Sequence, residues 1–254
     1  MITGFQAGVM ATGKPWTPRE IATALWLDAA DSSTITIGTG VSQWADKSGN
    51  SRHAVQNTGG NQPAYTANAQ NNLSAVTFAS PKWMALPWAS FTGENYVFFG
   101  VVRVNNYLLD YPVSGTIVSS NGSSGTFLIN SGNSTIGIVK GGTNYSASQN
   151  INNAGPHLFC SGFVGASAFS SVNGAAPNTI TNFALPSATS GLVLGKLGTL
   201  GVMYLNGYIA ELFVVPGYDT NSHQSKAAGY LAHKWGLTAS LPSDHPYRYS
   251  PPTV

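Results

Sequence analysis

Residues 207–215 read Gly207-Tyr-Ile-Ala-Glu-Leu-Phe-Val-Val215, and residues 96–104 read Tyr96-Val-Phe-Phe-Gly-Val-Val-Arg-Val104. Both stretches are nearly continuous runs of aliphatic and aromatic residues, each with a single charged side chain. Such runs are typical of strands that are covered on both faces. We therefore expect two central strands that are buried on at least part of both faces. Glu211 is expected to accept hydrogen bonds from a helix or from the N-terminal segment.

Shorter runs of β-branched and aromatic residues surround these two stretches, and turn signals such as Asn121-Gly122, Asn173-Gly174 and Asn206-Gly207 separate them. Many short strands at this spacing predict a sandwich or barrel of antiparallel sheets. No internal repeat or linker interrupts them, so the sequence predicts one all-β domain. The other predicted strands are 75–78, 115–118, 125–129, 135–139, 158–160 and 192–194.

Charge is scarce in this sequence of 254 residues, which has 11 Lys and Arg, 9 Asp and Glu, and a charged fraction of 8%. Helical bundles and coiled coils need many more charged residues, and nucleic-acid binding needs clustered Lys and Arg. The 6 Trp, 11 Tyr and 11 Phe can bury a large area, which excludes a disordered chain. What remains is a β-rich domain whose surface carries neutral hydroxyl and amide groups.

Helical signals are confined to two places. Asn221–Trp235 has apolar residues at i, i+3 and i+4 spacing, with Asn221 or Ser222 as its N-cap and Gly236 as a left-handed stop. Thr17–Leu25 is a second, shorter candidate for a helix or turn, because its second residue is a proline that suits a first helical turn.

The expected domain spans 16–247, between an extended N-terminal arm (1–15) and an extended C-terminal tail (248–254). The arm lacks the basic and apolar regions of a secretory signal. Cys160 is the single cysteine and is expected to be a buried core residue. From Leu241 onward, the prolines favour an extended path over the surface.

Three parts of the chain resemble a known family of domains, the laminin-G-like, concanavalin A-like jelly roll of tailed-phage virion proteins and some bacterial surface proteins. The matching segments are Ala24-Leu-Trp-Leu-Asp-Ala-Ala-Asp31, Val41-Ser-Gln-Trp-Ala-Asp-Lys-Ser-Gly-Asn50, His53-Ala-Val-Gln56, Ser171-Val-Asn-Gly174, Tyr204-Leu-Asn-Gly-Tyr-Ile-Ala-Glu-Leu-Phe-Val-Val215, Gly229-Tyr-Leu-Ala-His-Lys-Trp-Gly-Leu237 and Leu241-Pro-Ser-Asp-His-Pro-Tyr247.

This resemblance implies two antiparallel sheets packed face to face, with the N- and C-terminal motifs meeting in space. Together with the helix at 221–235, it predicts an all-β, two-sheet antiparallel jelly-roll sandwich with one C-terminal α-helix. The motif residues expected in the core are Trp26, Asp28, Trp44, Glu211, Tyr230 and Trp235.

The resemblance also implies a place in a virion. We expect a non-enzymatic bacteriophage structural protein, foremost a capsid decoration subunit assembled in the bacterial cytoplasm. The arm residues Ile2, Phe5, Val9 and Met10 would pack against other virion proteins, such as the major capsid or tail protein, or against further copies in a homo-oligomer. The alternative is a lectin-like tail or fibre module that recognises host surface polysaccharide. No nucleic-acid or membrane partner is expected.

A glycan hydrolase of the same fold is a third alternative. The chemistry needs an acid and a base or nucleophile ~5–9.5 Å apart, and enzymes of this fold place such carboxylates on alternate residues of one strand. The nine carboxylates of this chain include no pair at i, i+2, and the sequence has no G-x-S-x-G motif. The sequence therefore predicts no catalytic residues.

Calcium is the one cofactor that the resemblance raises, with Asp28, Asp31 and Asp46 as candidate ligands. Ca²⁺ takes ~6–8 oxygens, more than these side chains provide. The alternative is that Asp31-Ser-Ser and Asp46-Lys-Ser-Gly-Asn are turn sequences whose side chains cap local amides. No cofactor is therefore expected.

Candidate sugar-binding residues are aromatic side chains in loop-like surroundings, because an exposed ring can stack on a sugar. The segment 81–88 places Trp83 and Trp88 beside prolines, and Tyr107, Tyr111 and Tyr145 lie among Asn and Ser residues. The alternative at 81–88 is a core-facing strand, which would bury Met84 and Leu86 and one Trp with them.

Overall fold

The structure is a computed structural model that describes residues 13–88, 96–105, 114–120, 126–130, 135–140, 145–151, 155–181, 192–196, 204–217 and 223–254. These residues form two antiparallel sheets packed face to face, with one α-helix against the far side of one sheet. The predicted all-β sandwich with a C-terminal helix is confirmed. The arm residues Ile2, Phe5, Val9 and Met10 lie outside the described residues.

The sheet that carries the helix is called the helix-side sheet. Its strands in the described residues are β1 (Leu25–Asp28), β5 (Ala64–Gln70), β6 (Leu73–Phe78), β8 (Tyr96–Val104), β13 (Gly155–Val164), β14 (Ser167–Val172), β15 (Asn178–Ile180) and β17 (Gly207–Pro216). Their order is β15-β14-β13-β8-β17-β6-β5, and β1 also pairs with β17.

The second sheet is called the outer sheet. Its strands are β2 (Ile35–Ile37), β3 (Val41–Trp44), β4 (Ala54–Val55), β7 (Met84–Leu86), β9 (Ser114–Ser120), β10 (Thr126–Asn130), β11 (Thr135–Lys140), β12 (Tyr145–Asn150) and β16 (Leu192–Leu194). Their order is β12-β11-β10-β9-β16-β7-β4-β3-β2. Each of the eight strands predicted from the sequence overlaps an observed strand, and six of them start within one residue of it; the predicted 75–78 and 158–160 start later than β6 and β13.

Hydrophobic cores lie on both faces of the helix-side sheet. The core between the sheets joins Phe98 and Leu212 to Trp44 of the outer sheet, which is fully buried as predicted. The core beneath the helix contains Cys160, 5% exposed, and the stacked rings of Phe99 and Phe213, whose centroids are 5.0 Å apart. The prediction that β8 and β17 are buried on both faces is therefore confirmed.

The helix, α1 (His223–Trp235), ends at Gly236, whose φ of +70° suits the left-handed stop predicted there. Its predicted caps, Asn221 and Ser222, lie outside the described residues. Within the described part of the chain, no helix has the length and apolar character needed to cross a membrane.

At Thr17–Leu25, where a short helix or turn was predicted, the structure has a 3₁₀ turn at Pro18–Glu20, which starts at the proline and is capped by the Thr17 hydroxyl. The turn is shorter than the predicted range, because Leu25 already begins β1 and pairs with Val214. Further 3₁₀ turns lie at Ser32–Thr34, Gly59–Asn61 and Thr238–Ser240.

The first and last described segments pair with each other. Pro15 forms a bridge with Thr253, and the Trp16 amide donates to the Pro252 carbonyl at 3.0 Å. The expectation of a tail extended over the surface from Leu241 is corrected, because Leu241 is 2% and His245 9% exposed. Leu241 packs in the core beneath the helix, which draws this part of the tail inward.

Candidate functional site

A buried polar cluster joins the N-terminal motif to the C-terminal motifs. It is called the Glu211 network and comprises Trp26, Asp28, Lys47, Glu211, Tyr230, Lys234 and Trp235. Strands β1 and β17 are antiparallel neighbours, and their register sets Asp28 directly opposite Glu211. The two motifs implied to meet in space therefore do meet.

A β-bulge in β17 decides which way Glu211 points. The pairing with β8 shifts between Ile209 and Glu211, so Ala210 is an extra residue in the ladder. Ile209 packs between the sheets, whereas Ala210 packs beneath the helix, and Leu212 packs between the sheets again. The bulge thus turns Glu211 toward α1, where regular alternation from Ile209 would have turned it away.

Both oxygens of Glu211 are occupied by hydrogen-bond donors. Trp26 Nε1 and the Tyr230 hydroxyl donate to Oε1 at 2.8 and 2.9 Å, and Trp235 Nε1 donates to Oε2 at 2.8 Å. The prediction that Glu211 accepts hydrogen bonds from the helix and the N-terminal segment is confirmed. The motif residues Trp26, Tyr230 and Trp235 lie around this one carboxylate.

Two lysines that the sequence analysis assigned no role complete the network. Lys234 Nζ lies 2.7 Å from Asp28 Oδ1 and 2.8 Å from Glu211 Oε2. Lys47 Nζ lies 2.9 Å from Asp28 Oδ2 and 2.8 Å from Asp31 Oδ2. The sequence did carry a sign of these roles, because both lysines lie inside the quoted motifs: Lys47 directly follows Asp46, and Lys234 directly precedes Trp235.

The surroundings of these groups shift their acidities. Burial raises the pKa of Glu211, and the charge of Lys234 only partly opposes this effect. Burial and the charge of Glu211 also raise the pKa of the Tyr230 hydroxyl, which therefore stays protonated and donates. Hydrogen bonding to Lys47 lowers the pKa of Asp31 to about 2.

The network does not have the geometry of an acid–base pair that faces substrate. Asp28 is 4% and Glu211 0% exposed, and every carboxylate oxygen of the pair has a protein donor. A general acid or base must reach a substrate proton directly or through one water. The arrangement instead fastens β1, β17 and α1 to one another.

The candidate calcium ligands do not suit the ion. The Lys47 ammonium lies between Asp28 and Asp31, where Ca²⁺ would need their oxygens. Asp46 accepts from the amides of Trp26, at 2.9 Å, and Ser48, at 2.8 Å. Asp31 accepts from the Ser33 amide at 3.2 Å, so the alternative of turn-capping carboxylates is the arrangement found.

Two open surface pockets share Thr23 as a lining residue, and together they are called the Thr23 cleft, with the two pockets as its first and second parts. The first part has a volume of about 360 Å³ and the second about 280 Å³. The first is lined by Pro18, Arg19, Ile21, Thr23, Trp26, Lys47, Ser48 and Gly49, and the second by Ala22, Thr23, Ala24, Asn50, Arg52, Tyr96 and Pro216.

Asp46 shapes the loop that forms one wall of the Thr23 cleft. Its Oδ2 accepts from the Ser48 hydroxyl at 2.8 Å and from the Arg52 amide at 3.0 Å. Asn50 Nδ2 donates to the carbonyls of Thr23 and Ala24, both at 3.1 Å. The loop is therefore hydrogen-bonded to the backbone of Thr23 and Ala24, which fixes the polar groups of the cleft in place.

The aromatic residues predicted to bind sugar lie elsewhere. The expectation of an open ring face at Trp88 is corrected: Trp88 is 4% exposed in the core between the sheets. The Tyr96 ring packs edge-on against the Trp88 ring, with 5.3 Å between the ring centroids. The Arg52 guanidinium carbon lies 4.3 Å from the centroid of the Trp88 ring. Met84 and Leu86 are buried with it, as the alternative interpretation expected.

Trp83 is half-buried, and Lys196 Nζ lies 3.6 Å from its ring centroid, so an ammonium occupies one face of the indole. Tyr107 and Tyr111 lie outside the described residues. Tyr145 begins β12, but its side chain lies outside the described part. The two described candidates, Trp83 and Trp88, therefore do not form one exposed surface. Sequence analysis missed the Thr23 cleft because its lining comes from four separated parts of the chain: residues 18–26, residues 47–52, Tyr96 and Pro216.

Comparisons with known proteins find similarity in structure. No family model matches the chain, and no curated protein matches its sequence. Domain 4 of AbnA, a GH43 extracellular arabinanase from Geobacillus stearothermophilus solved with arabinotriose, has a TM-score of 0.61 at 15% identity, over 81% of this chain and 98% of that chain.

Two larger structures also contain this fold. The binding domain of botulinum neurotoxin DC, solved with SialylT, has a TM-score of 0.50 at 12% identity, over 76% of this chain and 47% of that one. Trypanosoma rangeli sialidase has a TM-score of 0.53 at 9% identity, over 88% of this chain and 36% of the sialidase chain. At such low identities the likeness concerns architecture alone, and this chain has the architecture of a jelly-roll β-sandwich.

Proposed function

We propose that this chain is a carbohydrate-binding module that holds a glycan in the Thr23 cleft without cleaving it. The observation that carries the proposal is the lining of the cleft. It presents amide, hydroxyl and guanidinium groups at an open surface, while Asp28 and Glu211 are bonded to protein donors beneath it. A site of this kind can bind hydroxyl groups but offers no free carboxylate pair for hydrolysis.

The cleft also has the mixed character that sugar binding needs. Pro18 and Ile21 give apolar surface to its first part, and Tyr96 and Pro216 give apolar surface to its second. Asn50 Oδ1 accepts no hydrogen bond from the described residues, so it can accept one from a sugar hydroxyl. Apolar walls with a few fixed polar groups are typical of small-molecule sites.

Two of the structural neighbours support the same function. The AbnA domain was solved with arabinotriose, and the neurotoxin binding domain was solved with SialylT. The AbnA domain is one part of an arabinanase, so this support concerns binding and not cleavage. The fold alone hosts several functions, so the argument rests on the cleft and takes only support from these neighbours.

A glycan microarray followed by calorimetry tests the proposal. Wild-type protein is expected to bind at least one glycan class, and Ala22→Trp, which fills the second part of the cleft from an exposed position, is expected to weaken binding about tenfold or more. Ala239→Trp is the matched control, since Ala239 is exposed and lies outside the cleft.

The possible results distinguish whether the chain binds glycans from where it binds them. A wild-type protein that binds no glycan at millimolar concentration contradicts the proposal. If Ala22→Trp binds normally while Trp83→Ala loses binding, the module binds glycans at Trp83 and the assignment to the Thr23 cleft is wrong.

A virion subunit is the second candidate, favoured by the sequence resemblance and by the charged fraction of only 8%. Interfaces between proteins are depleted in Lys and Glu, so such a surface suits packing against neighbours. None of the three structural neighbours described above is a virion protein. Deleting residues 2–12 leaves the Pro15–Thr253 bridge intact and should abolish incorporation into particles; normal incorporation contradicts this candidate.

A further inference from the structure

We infer that the Thr23 cleft selects glycans that carry a carboxylate. This inference rests on the proposed function and names the ligand class of the same site. Its basis is a comparison of which hydrogen-bonding groups around the cleft are used internally and which are not. In the described residues the unused groups are mainly guanidinium N–H donors, and a carboxylate is their natural partner.

Arg19 is the first unused donor. It lies in the 3₁₀ turn at Pro18–Glu20, is exposed, and lines the first part of the cleft. Its backbone amide bonds to Thr17 Oγ1 at 3.3 Å, but its guanidinium has no hydrogen bond or ion pair among the described residues. The adjacent acid, Glu20, is paired with Lys14 at 2.6 Å and does not occupy Arg19.

Arg52 is the second residue with unused donors, and its guanidinium is held in a fixed orientation. One terminal nitrogen donates to the Ala24 carbonyl at 2.8 Å, and the guanidinium plane rests against Trp88. The remaining N–H groups have no partner among the described residues, and they line the second part of the cleft. A guanidinium fixed in this way loses little side-chain entropy when it binds an anion.

The carboxylates near the cleft are satisfied and do not line it. Asp28, Asp31 and Glu211 are paired with Lys47 or Lys234, and Asp46 accepts four hydrogen bonds from the loop and from Trp26. The formal charges of these acids and of the surrounding cations balance, so no strong long-range field attracts anions. Selectivity then comes from donors that contact the ligand.

The arrangement favours a carboxylate over a sulfate on the sugar. A carboxylate is planar and matches the fork of a guanidinium with its two oxygens. Asn50 Oδ1 lines the same part of the cleft as Arg52 and is an acceptor, which suits a sugar hydroxyl. A sulfate can also accept two parallel hydrogen bonds from a guanidinium, but its third terminal oxygen is a further acceptor, and Asn50 offers it no free donor because Nδ2 already donates to Thr23 and Ala24.

The test compares acidic sugars with their methyl esters, which keep the sugar skeleton and remove only the charge. Calorimetry would use sialyllactose and trigalacturonate, each with its methyl ester, and a sulfated lactose. We expect at least one acid to bind about tenfold or more tightly than its ester, because bonds to a charged group are about twice as strong as neutral ones. The sulfated sugar should bind no better than the ester.

Variants locate the effect. Arg19→Gln removes an exposed guanidinium with no internal partner, and Arg52→Lys keeps the charge but removes the planar fork. One or both should reduce the ratio of acid to ester binding about fivefold or more. Arg103→Gln is the matched control, because Arg103 lies at the other end of β8 from Tyr96, ~23 Å away at ~3.3 Å per residue.

The outcomes distinguish this inference from the proposed function. Equal binding of acid and ester, or equal binding of the sulfated sugar, overturns the inference while glycan binding stands. A ratio unchanged in both Arg19→Gln and Arg52→Lys also overturns it. If no sugar on the array or in the calorimeter binds, the proposed function fails and the inference with it.

Discussion

Trp26 Nε1 donates a hydrogen bond to Glu211 Oε1 at 2.8 Å across 185 positions of the chain. The indole belongs to the first strand of the helix-side sheet and the carboxylate to its last. Because Trp235 and Lys234 of the helix bond to the other oxygen, this one side chain holds three elements together. Its removal should therefore reduce stability more than the loss of any surface charge.

Glu211→Gln is expected to lower the free energy of unfolding by about 3 kcal/mol, since breaking a buried, hydrogen-bonded ion pair leaves its partners unsatisfied. The amide NH₂ would face two of the donors that the carboxylate now accepts from. Urea denaturation measures the effect. Glu20→Gln, which breaks the exposed pair with Lys14, should change stability by less than about 1 kcal/mol. If both variants lower the free energy of unfolding equally, the Glu211 network stabilises the fold no more than an exposed ion pair does.

Asp31→Asn should destabilise the protein at neutral pH and have no effect in strong acid. The Lys47 hydrogen bond lowers the pKa of Asp31 to about 2 from its ordinary 3.8. A lowered pKa means that the stabilisation is fully present above pH 3.8 and disappears as the pH falls to about 2. The neutral-pH effect should stay below about 1 kcal/mol because the carboxylate is 35% exposed. If the difference in the free energy of unfolding between wild-type protein and Asp31→Asn is the same at pH 5 and at pH 2, the lowered pKa of Asp31 is contradicted.

Gly229→Ala should destabilise the protein although alanine favours helices. A Cβ at this position of α1 would overlap Tyr247 Cβ and lie 2.9 Å from Tyr247 Cγ. Overpacking of this kind costs about 1–3 kcal/mol, and the gain in helix propensity is about 1 kcal/mol. Gly155→Ala is the control, since nothing lies within 4 Å of its added Cβ. Thermal unfolding should show a lower Tm for Gly229→Ala only.

Cys160 should not react with Ellman's reagent in the native protein. The thiol is 5% exposed in the core beneath the helix, and burial raises its pKa well above the ordinary value. The thiolate is the reactive form, so both access and ionisation are suppressed. Full reaction is expected in denaturant, and since this is the only cysteine the signal is unambiguous. Rapid labelling of native protein at pH 8 would contradict the burial of this strand.

Much of the fold could be predicted because burial leaves a direct mark on composition. The continuous apolar runs at 96–104 and 207–215 correspond to β8 and β17, which have a core on each face. Gly236 ended the predicted helix at the right residue, since a left-handed conformation is cheap only for glycine. The predicted helix or turn at Thr17–Leu25 is present only as the turn Pro18–Glu20, because Leu25 is held in strand pairing with β17.

The candidate site was harder to predict because it depends on register. Asp28 meets Glu211 only through the pairing of β1 with β17, and the bulge at Ala210 decides which face Glu211 takes. Neither feature leaves a local pattern. Trp88 seemed exposed beside a proline, but Arg52, distant in sequence, lies against its ring. The Thr23 cleft likewise appears only when the 18–24 turn and the 46–52 loop are brought together.

The central position of β17 has a consequence for how the protein is made. Residues 207–216 fill the gap between β6 and β8 and supply the partner of β1, so none of these pairings can form until residues 207–216 have been synthesised. A nascent chain that ends before residue 207 exposes unpaired apolar strand edges, which are templates for aggregation. Translation products that stop before residue 207 should therefore depend on chaperones, whereas a chain that includes β17 can pair β1, β6 and β8 through it.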